Sequence, residues 1–238
     1  MKKGEIKKQI ILRTAEAMFC RNGYEKTSIQ DILDALHTSK GSFYHHYVSK
    51  EQLLEEICRT RAKNGTGQII AGIADNTPPA ENINRIFSGA MPLNGENLTF
   101  LRMLLPVFNL PEGRQVRAGY ADALTEMMLP STVRVIERGN ETGEFFCTDP
   151  RHTAEMCWLL VHDCWIRICM LIIKNEQAGS ETDPAELLSL TGNYRHSVER
   201  LLSAPFGSIR LMNLDELIRL TEQIHYYWNR QYLNKKEG

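Results

Sequence analysis

Residues 27–53, TSIQDILDALHTSKGSFYHHYVSKEQL, leave little choice of local fold. Ile29, Ile32, Leu33 and Leu36 recur at i, i+3, i+4 and i+7, one apolar face of a helix. His37-Thr38-Ser39 breaks the pattern, and the next segment carries Lys, Ser, Tyr and His at its outward positions. It is too polar for core and too regular for a loop. A helix, a tight turn and a basic, hydrogen-bonding second helix make a helix-turn-helix, whose second helix is built to lie in a DNA major groove.

Overall charge argues the other way, at −1 over 238 residues, but its distribution restores the reading. Residues 1–50 hold nine Lys/Arg against five Asp/Glu, a net of +4, and the remainder nineteen against twenty-four, a net of −5. Phosphate neutralisation needs local positive charge. The six cysteines form no CxxC pair and sit in apolar helical patterns, where Cys acts as a small hydrophobe. Lys2, Lys3, Lys7 and Lys8 are not followed by the apolar run of a signal peptide. Met156–Ile173 is apolar but contains Asp163 and Arg167, which disfavours a membrane span. The expectation is a soluble, reduced, cytoplasmic protein.

Helical period runs through nearly every long segment. The first helix is expected over 5–21, with Ile11, Ala15 and Met18 on its core face, Ile10 and Ala17 alongside, and Asn22-Gly23 as its stop. Thr27 or Ser28 caps the second helix, the third spans Ser39–His46, and Ser49 caps the fourth with Gln52 completing a capping box. Asn64-Gly65-Thr66-Gly67 should weaken the fourth helix and Asn76-Thr77-Pro78-Pro79 end it. Further helices are predicted near 80–90, 97–109 and 112–139, punctuated by Pro92 and Pro111 and kinked at Pro130. Asp149-Pro150 and Asp183-Pro184 open helices to about 175 and 203. Asn213 or Asp215 opens one ending near Leu233. The fold class is all-α. The predicted organisation is a helix-turn-helix DNA-binding domain over 1–49 on a larger helical body over 50–238, with the helix from about 50 as connector.

Thr27-Ser28-Ile29-Gln30-Asp31-Ile32, then Ser39-Lys40-Gly41-Ser42-Phe43-Tyr44-His45-His46-Tyr47, then Ser49-Lys50-Glu51-Gln52-Leu53, resembles the TetR family of transcriptional regulators. The family's usual Gly-Val in the turn is His37-Thr38 here, and its Ala after Asp-Ile is Leu33. The turn position often needs φ > 0, which His tolerates better than most residues. The resemblance implies a dimeric transcriptional regulator, a repressor released from a palindromic operator by a small-molecule effector. It further implies a ligand-binding and dimerisation body, paired through the helices near 150–175 and 184–203. The rival reading is an all-helical small-molecule binding protein without a DNA role.

The chemistry of the head fits that implication. Lys40 can reach a guanine edge or a phosphate, Ser39 and Ser42 can donate to bases or phosphates, and the Thr38 methyl can meet a thymine methyl. Gly41 removes a side chain where backbone must come close to the duplex. Tyr44 and His46 offer donors to phosphate oxygens, while Lys26, Thr27 and Lys50 stand at helix starts suited to clamping phosphates. With Ser28 and His45 these residues make up the candidate DNA-binding set. Phe43 and Tyr47, spaced i, i+4, read as core. Adjacent His45 and His46 point about 100° apart on a helix and so share no metal-ligand face.

The body offers no catalytic motif, so no enzyme, cofactor or metal is expected. His196 and Glu199 read as a surface or interface pair, and Cys157, Cys164 and Cys169 as a core stripe. Met156–Ile173 is apolar on all sides, which demands burial on all sides. It either packs as core and dimer interface or walls an effector pocket through Trp158 and His162. Phe108 joins them as an effector-binding candidate. Phe87, Met91, Phe100, Met103, Met127 and Met128 would add an adaptable apolar lining, or serve as plain core.

Overall fold

Helix starts in this chain are set by short-range side-chain caps. The computed structural model describes residues 3–90 and 98–232; Met91, Pro92 and Leu233 lie outside the described residues. Among the described residues there is no strand. The helices are α1 (Lys3–Asn22), α2 (Ile29–Ala35), α3 (Lys40–Tyr44), α4 (Lys50–Ala71), α5 (Pro79–Ala90), α6 (Leu98–Leu104), α7 (Pro111–Thr142), α8 (Pro150–Ala178), α9 (Pro184–Leu202) and α10 (Leu214–Tyr232). A 3₁₀ turn, Leu105–Asn109, separates α6 from α7. The all-α expectation holds.

Ser28, not Thr27, caps α2. Its Oγ accepts from Asp31 N at 3.1 Å and Asp31 Oδ2 accepts from Ser28 N at 2.7 Å, a complete capping box. At α4 the box is displaced: Ser49 Oγ accepts from Gln52 N at 3.2 Å, but Gln52 Oε1 accepts from Val48 N at 2.7 Å. Asp149 and Asp183 cap α8 and α9, each followed by proline in the first turn. Asn213 caps α10 by accepting from Glu216 N.

Two expected weak points lie inside continuous helices. α4 continues through Asn64–Gly67 to Ala71, with Thr66 buried and its hydroxyl donating to Lys63 O. α7 runs through Pro130, giving up the bond that a proline nitrogen cannot donate. Packing of the neighbouring residues outweighs propensity at both sites.

By packing, the chain divides into Met1–Ala62 with Thr99–Tyr120, and Lys63–Leu98 with Ala121–Gly238. In the first unit Ile11, Leu12, Ala15, Met18 and Phe19 of α1 are buried with Ile32 and Leu33 of α2, Phe43 of α3 and Leu53, Leu54 and Ile57 of α4. The α1 face is therefore rotated from its predicted position. Leu12 and Phe19 complete it, whereas Ile10 and Ala17 point outward.

In the second unit α8 buries Cys157, Trp158, Val161, Cys164, Trp165, Ile168 and Ile172. Trp158 packs edge-on against Phe87 with centroids 5.6 Å apart, and its Nε1 donates to Thr132 Oγ1 at 3.1 Å. Burial pushes the Cys157 and Cys164 thiols up to about 12, so they are inert apolar filling. By length and composition α8 is apolar enough to cross a membrane, yet half of that window is buried inside the body. Within one chain Met156, Leu159 and Met170 remain exposed, so burial on all sides is not completed by this chain alone. Glu199 is a correction. It is buried and not a surface residue, because its Oε1 accepts from Gly207 N at 2.8 Å and Ile209 N at 3.3 Å, fastening the loop after α9.

Candidate nucleic-acid interface

The turn between α2 and α3 closes by paired backbone bonds. His37 N donates to Asp34 O at 3.2 Å and Thr38 N to Leu33 O at 3.1 Å, with His37 left-handed at φ +48°. This is a Schellman ending with histidine where glycine is usual, as the φ > 0 argument required. α3 is only five residues long and would not persist alone. Ser39 caps it by accepting from Ser42 N, and Phe43 pins it: fully buried, with its ring 5.9 Å from that of buried Tyr47. Burying such a ring contributes about 1.5–3 kcal/mol.

With Phe43 and Tyr47 turned inward, the other side of α3 faces out. Ser39, Lys40, Gly41, Tyr44 and His45 are exposed, and Thr38, Ser42 and His46 are half-buried. Ser28, Ile29 and Gln30 of the α2 start, Lys40 and Tyr44 of α3, and Lys50 line one open groove of about 380 Å³. Gln30 was missed by the sequence reading, although its place in the first turn of α2, on the polar side, was a usable signal. Its amide donates to Asp34 Oδ1 at 2.7 Å.

Two of the predicted contacts are engaged internally. Thr27 is fully buried; its hydroxyl donates to Gly23 O at 2.9 Å and its N–H to Tyr24 O at 3.2 Å. It belongs to the packing of the turn and has no donor left for a phosphate. Lys50 donates to Tyr24 O and Thr27 O. Lys26, by contrast, is exposed.

Two titratable groups at this face depart from their ordinary ranges. Partial burial, then the neighbouring His45, Lys7 and Lys8, hold the His46 imidazole below its ordinary range, so without DNA it is a neutral donor. The Ser28 N–H and hydroxyl hold the Asp31 carboxyl low. Gly41 has helical backbone and open space where a Cβ would stand. Nothing within the chain requires glycine there, and glycine costs about 1 kcal/mol against alanine inside a helix.

The effector candidates fall in two places. Phe108 lies buried in the first unit, its carbonyl accepting from Arg117, whose guanidinium sits 5.4 Å from the ring centroid. Trp158 and His162 come together in the second unit, with ring centroids 5.3 Å apart. His162 Nε2 pairs with Thr125 Oγ1 at 2.9 Å, and burial lowers its pKa to about 4. Among the described residues no group of three or more His, Cys, Asp or Glu is placed to hold a metal.

Residues 11–57 match the family model described as bacterial regulatory proteins, tetR family. The HTH-type transcriptional regulator YerO of Bacillus subtilis is 29% identical over 114 residues, covering 47% of this chain and 39% of that protein. The HTH-type transcriptional repressor KstR2 of Mycolicibacterium smegmatis is 34% identical over 77 residues, covering 32% of this chain and 38% of that protein. The chain thus spans about two-fifths of the length of these curated relatives. A crystal structure of a TetR-family transcriptional regulator from Pectobacterium atrosepticum shares the fold, with a TM-score of 0.57 at 20% identity over 85% of this chain and 97% of that one. Over residues 11–57 the chain is thus similar to the TetR family of bacterial regulatory proteins, and its fold is that of a solved TetR-family regulator.

Proposed function

We propose that this protein is a sequence-specific DNA-binding transcriptional regulator, a repressor that leaves a palindromic operator when a small molecule binds its body. The observation that carries the reading is the outward face of α3: Ser39, Lys40, Gly41, Tyr44 and His45 are exposed together on a helix pinned from behind by Phe43. Functionally the DNA-binding part is residues 1–49 and the body 50–238, with α4 as the connector. Lys40, Ser39, Ser42 and Thr38 supply base-edge or phosphate contacts, and Lys26, Tyr44, His45 and His46 supply phosphate contacts. The protein is cytoplasmic in this reading and does no catalysis.

Exposed apolar residues support dimerisation. Met156, Leu159 and Met170 on α8, with Leu188 on α9, are large side chains left in water by a single chain. A second copy would cover them by isologous pairing of α8 and α9. Two α3 helices then enter successive major grooves about 34–36 Å apart or somewhat more. An effector near Trp158 and His162, with Phe108 a further candidate, would favour a dimer with a different spacing, so release is a population shift.

A gel shift with the protein's own upstream DNA, run at several salt concentrations, tests the reading. Palindrome-selective binding that weakens as salt rises is expected, and Lys40→Ala should cost about 1–3 kcal/mol of binding with little change in folding stability. Effector binding without any salt-dependent DNA binding would favour the small-molecule carrier instead.

A further inference from the structure

Resting on the DNA-binding reading above, we infer that Lys50 is a positioning residue, one that holds the start of α2 for the duplex and is not itself a main phosphate contact. Its Nζ donates to Tyr24 O at 3.0 Å and to Thr27 O at 3.2 Å, and lies 4.2 Å from the centroid of the Tyr24 ring. An ammonium has three N–H bonds. Two are committed to backbone carbonyls, and the ring face takes up part of the charge.

Those carbonyls bound the turn between α1 and α2. Tyr24 O also accepts from Thr27 N, Thr27 Oγ1 donates to Gly23 O, and the next residue, Ser28, carries the capping box of α2. Tyr24 is itself fixed, edge-on to Phe19 at 5.2 Å and donating from its hydroxyl to Glu51 Oε1 at 3.4 Å. The first residue of α4 is thereby tied to the cap of α2. Lysine is poorly placed at a helix start, where the positive end of the dipole repels it, so its favourable interactions come from across the turn. Ser28, Gln30, Lys40 and Tyr44 share the groove with Lys50, so a loosened turn would free the α2 side of that groove from the α3 side.

Lys50→Met in the full-length chain tests this, with two readouts. Affinity for the upstream duplex is measured by fluorescence anisotropy at several salt concentrations, and amide exchange over 23–31 by mass spectrometry. Affinity is expected to fall about tenfold along a line parallel to that of the parent protein, while the 23–31 amides exchange about tenfold faster. Lys50→Arg, with donors enough for both carbonyls, should restore both. A salt slope shallower by about 0.9, the loss of one phosphate contact, overturns the inference, as does unchanged affinity or unchanged exchange. If Lys50→Met does not fold, Lys50→Gln carries the same readouts. Absence of salt-dependent binding in the parent protein would instead sink the DNA-binding reading and this inference with it.

Discussion

α3 and α8 leave opposite kinds of surface uncovered. α3 is five residues long, turns its aromatic Phe43 inward and leaves Lys40, Gly41, Tyr44 and His45 in water. α8 is 29 residues long, buries a full face and still exposes Met156, Leu159 and Met170. A polar, cationic face without structural need of its glycine fits a polyanion; large apolar side chains in water fit a protein surface. The difference is what supports the proposal of separate partners for the two helices, DNA for one and a second copy of the chain for the other.

The largest expected effect breaks the inside of α3 from its outside. Phe43→Ala should cost about 3–5 kcal/mol in denaturant unfolding and abolish DNA binding by loosening the head. A loss confined to binding would mean that Phe43 is not the anchor. On α8, Leu159→Glu should leave the stability of the single chain within about 0.5 kcal/mol, since the side chain is 69% exposed. In sedimentation it should convert the dimer to monomer, and a dimer that persists would remove this face from the interface.

The buried face of α8 carries a pH signature of its own in His162. The His162 imidazole titrates at about 4 in the folded protein, against about 6.5 when unfolded. Its contribution to stability is whole above pH 6.5 and is lost as pH falls from 6.5 toward 4, by roughly 1.4 kcal/mol per pH unit. Thermal melts across that window should show a shallower decline in His162→Gln than in the parent. The smallest effect is the most discriminating for α3. Gly41→Ala should raise stability by about 0.5–1 kcal/mol, because the site is helical and open, and yet weaken DNA binding. Stronger or unchanged binding would remove the close-approach role.

What was legible in the sequence was local. The Ser28–Asp31 box, the Asp-Pro openings of α8 and α9 and the left-handed His37 are each decided within six residues, so identity and spacing suffice. The inward Phe43 and Tyr47 were legible too, from an i, i+4 period against an otherwise polar segment. The larger differences lie in packing, while the displaced Ser49–Gln52 box is a local one. Ile10 and Leu12 are neighbours of equal hydrophobicity, and only packing against the rest of the head decides which is buried. Glu199 pairs with His196 at 3.8 Å as its spacing suggested, but its burial was not legible because its further partners, Gly207 N and Ile209 N, are amides with no side-chain signature. Thr27 and Lys50 read as clamps because residues of that kind suit phosphates; in the free chain the Thr27 hydroxyl and two of the three Lys50 N–H donors meet the chain's own carbonyls.

The most direct test of the two-partner assignment is the stoichiometry and salt dependence of binding to a fluorescent palindromic duplex from the upstream region. The account predicts two chains per duplex, with log affinity falling linearly as log salt rises. One chain per duplex, or affinity indifferent to salt, would contradict it.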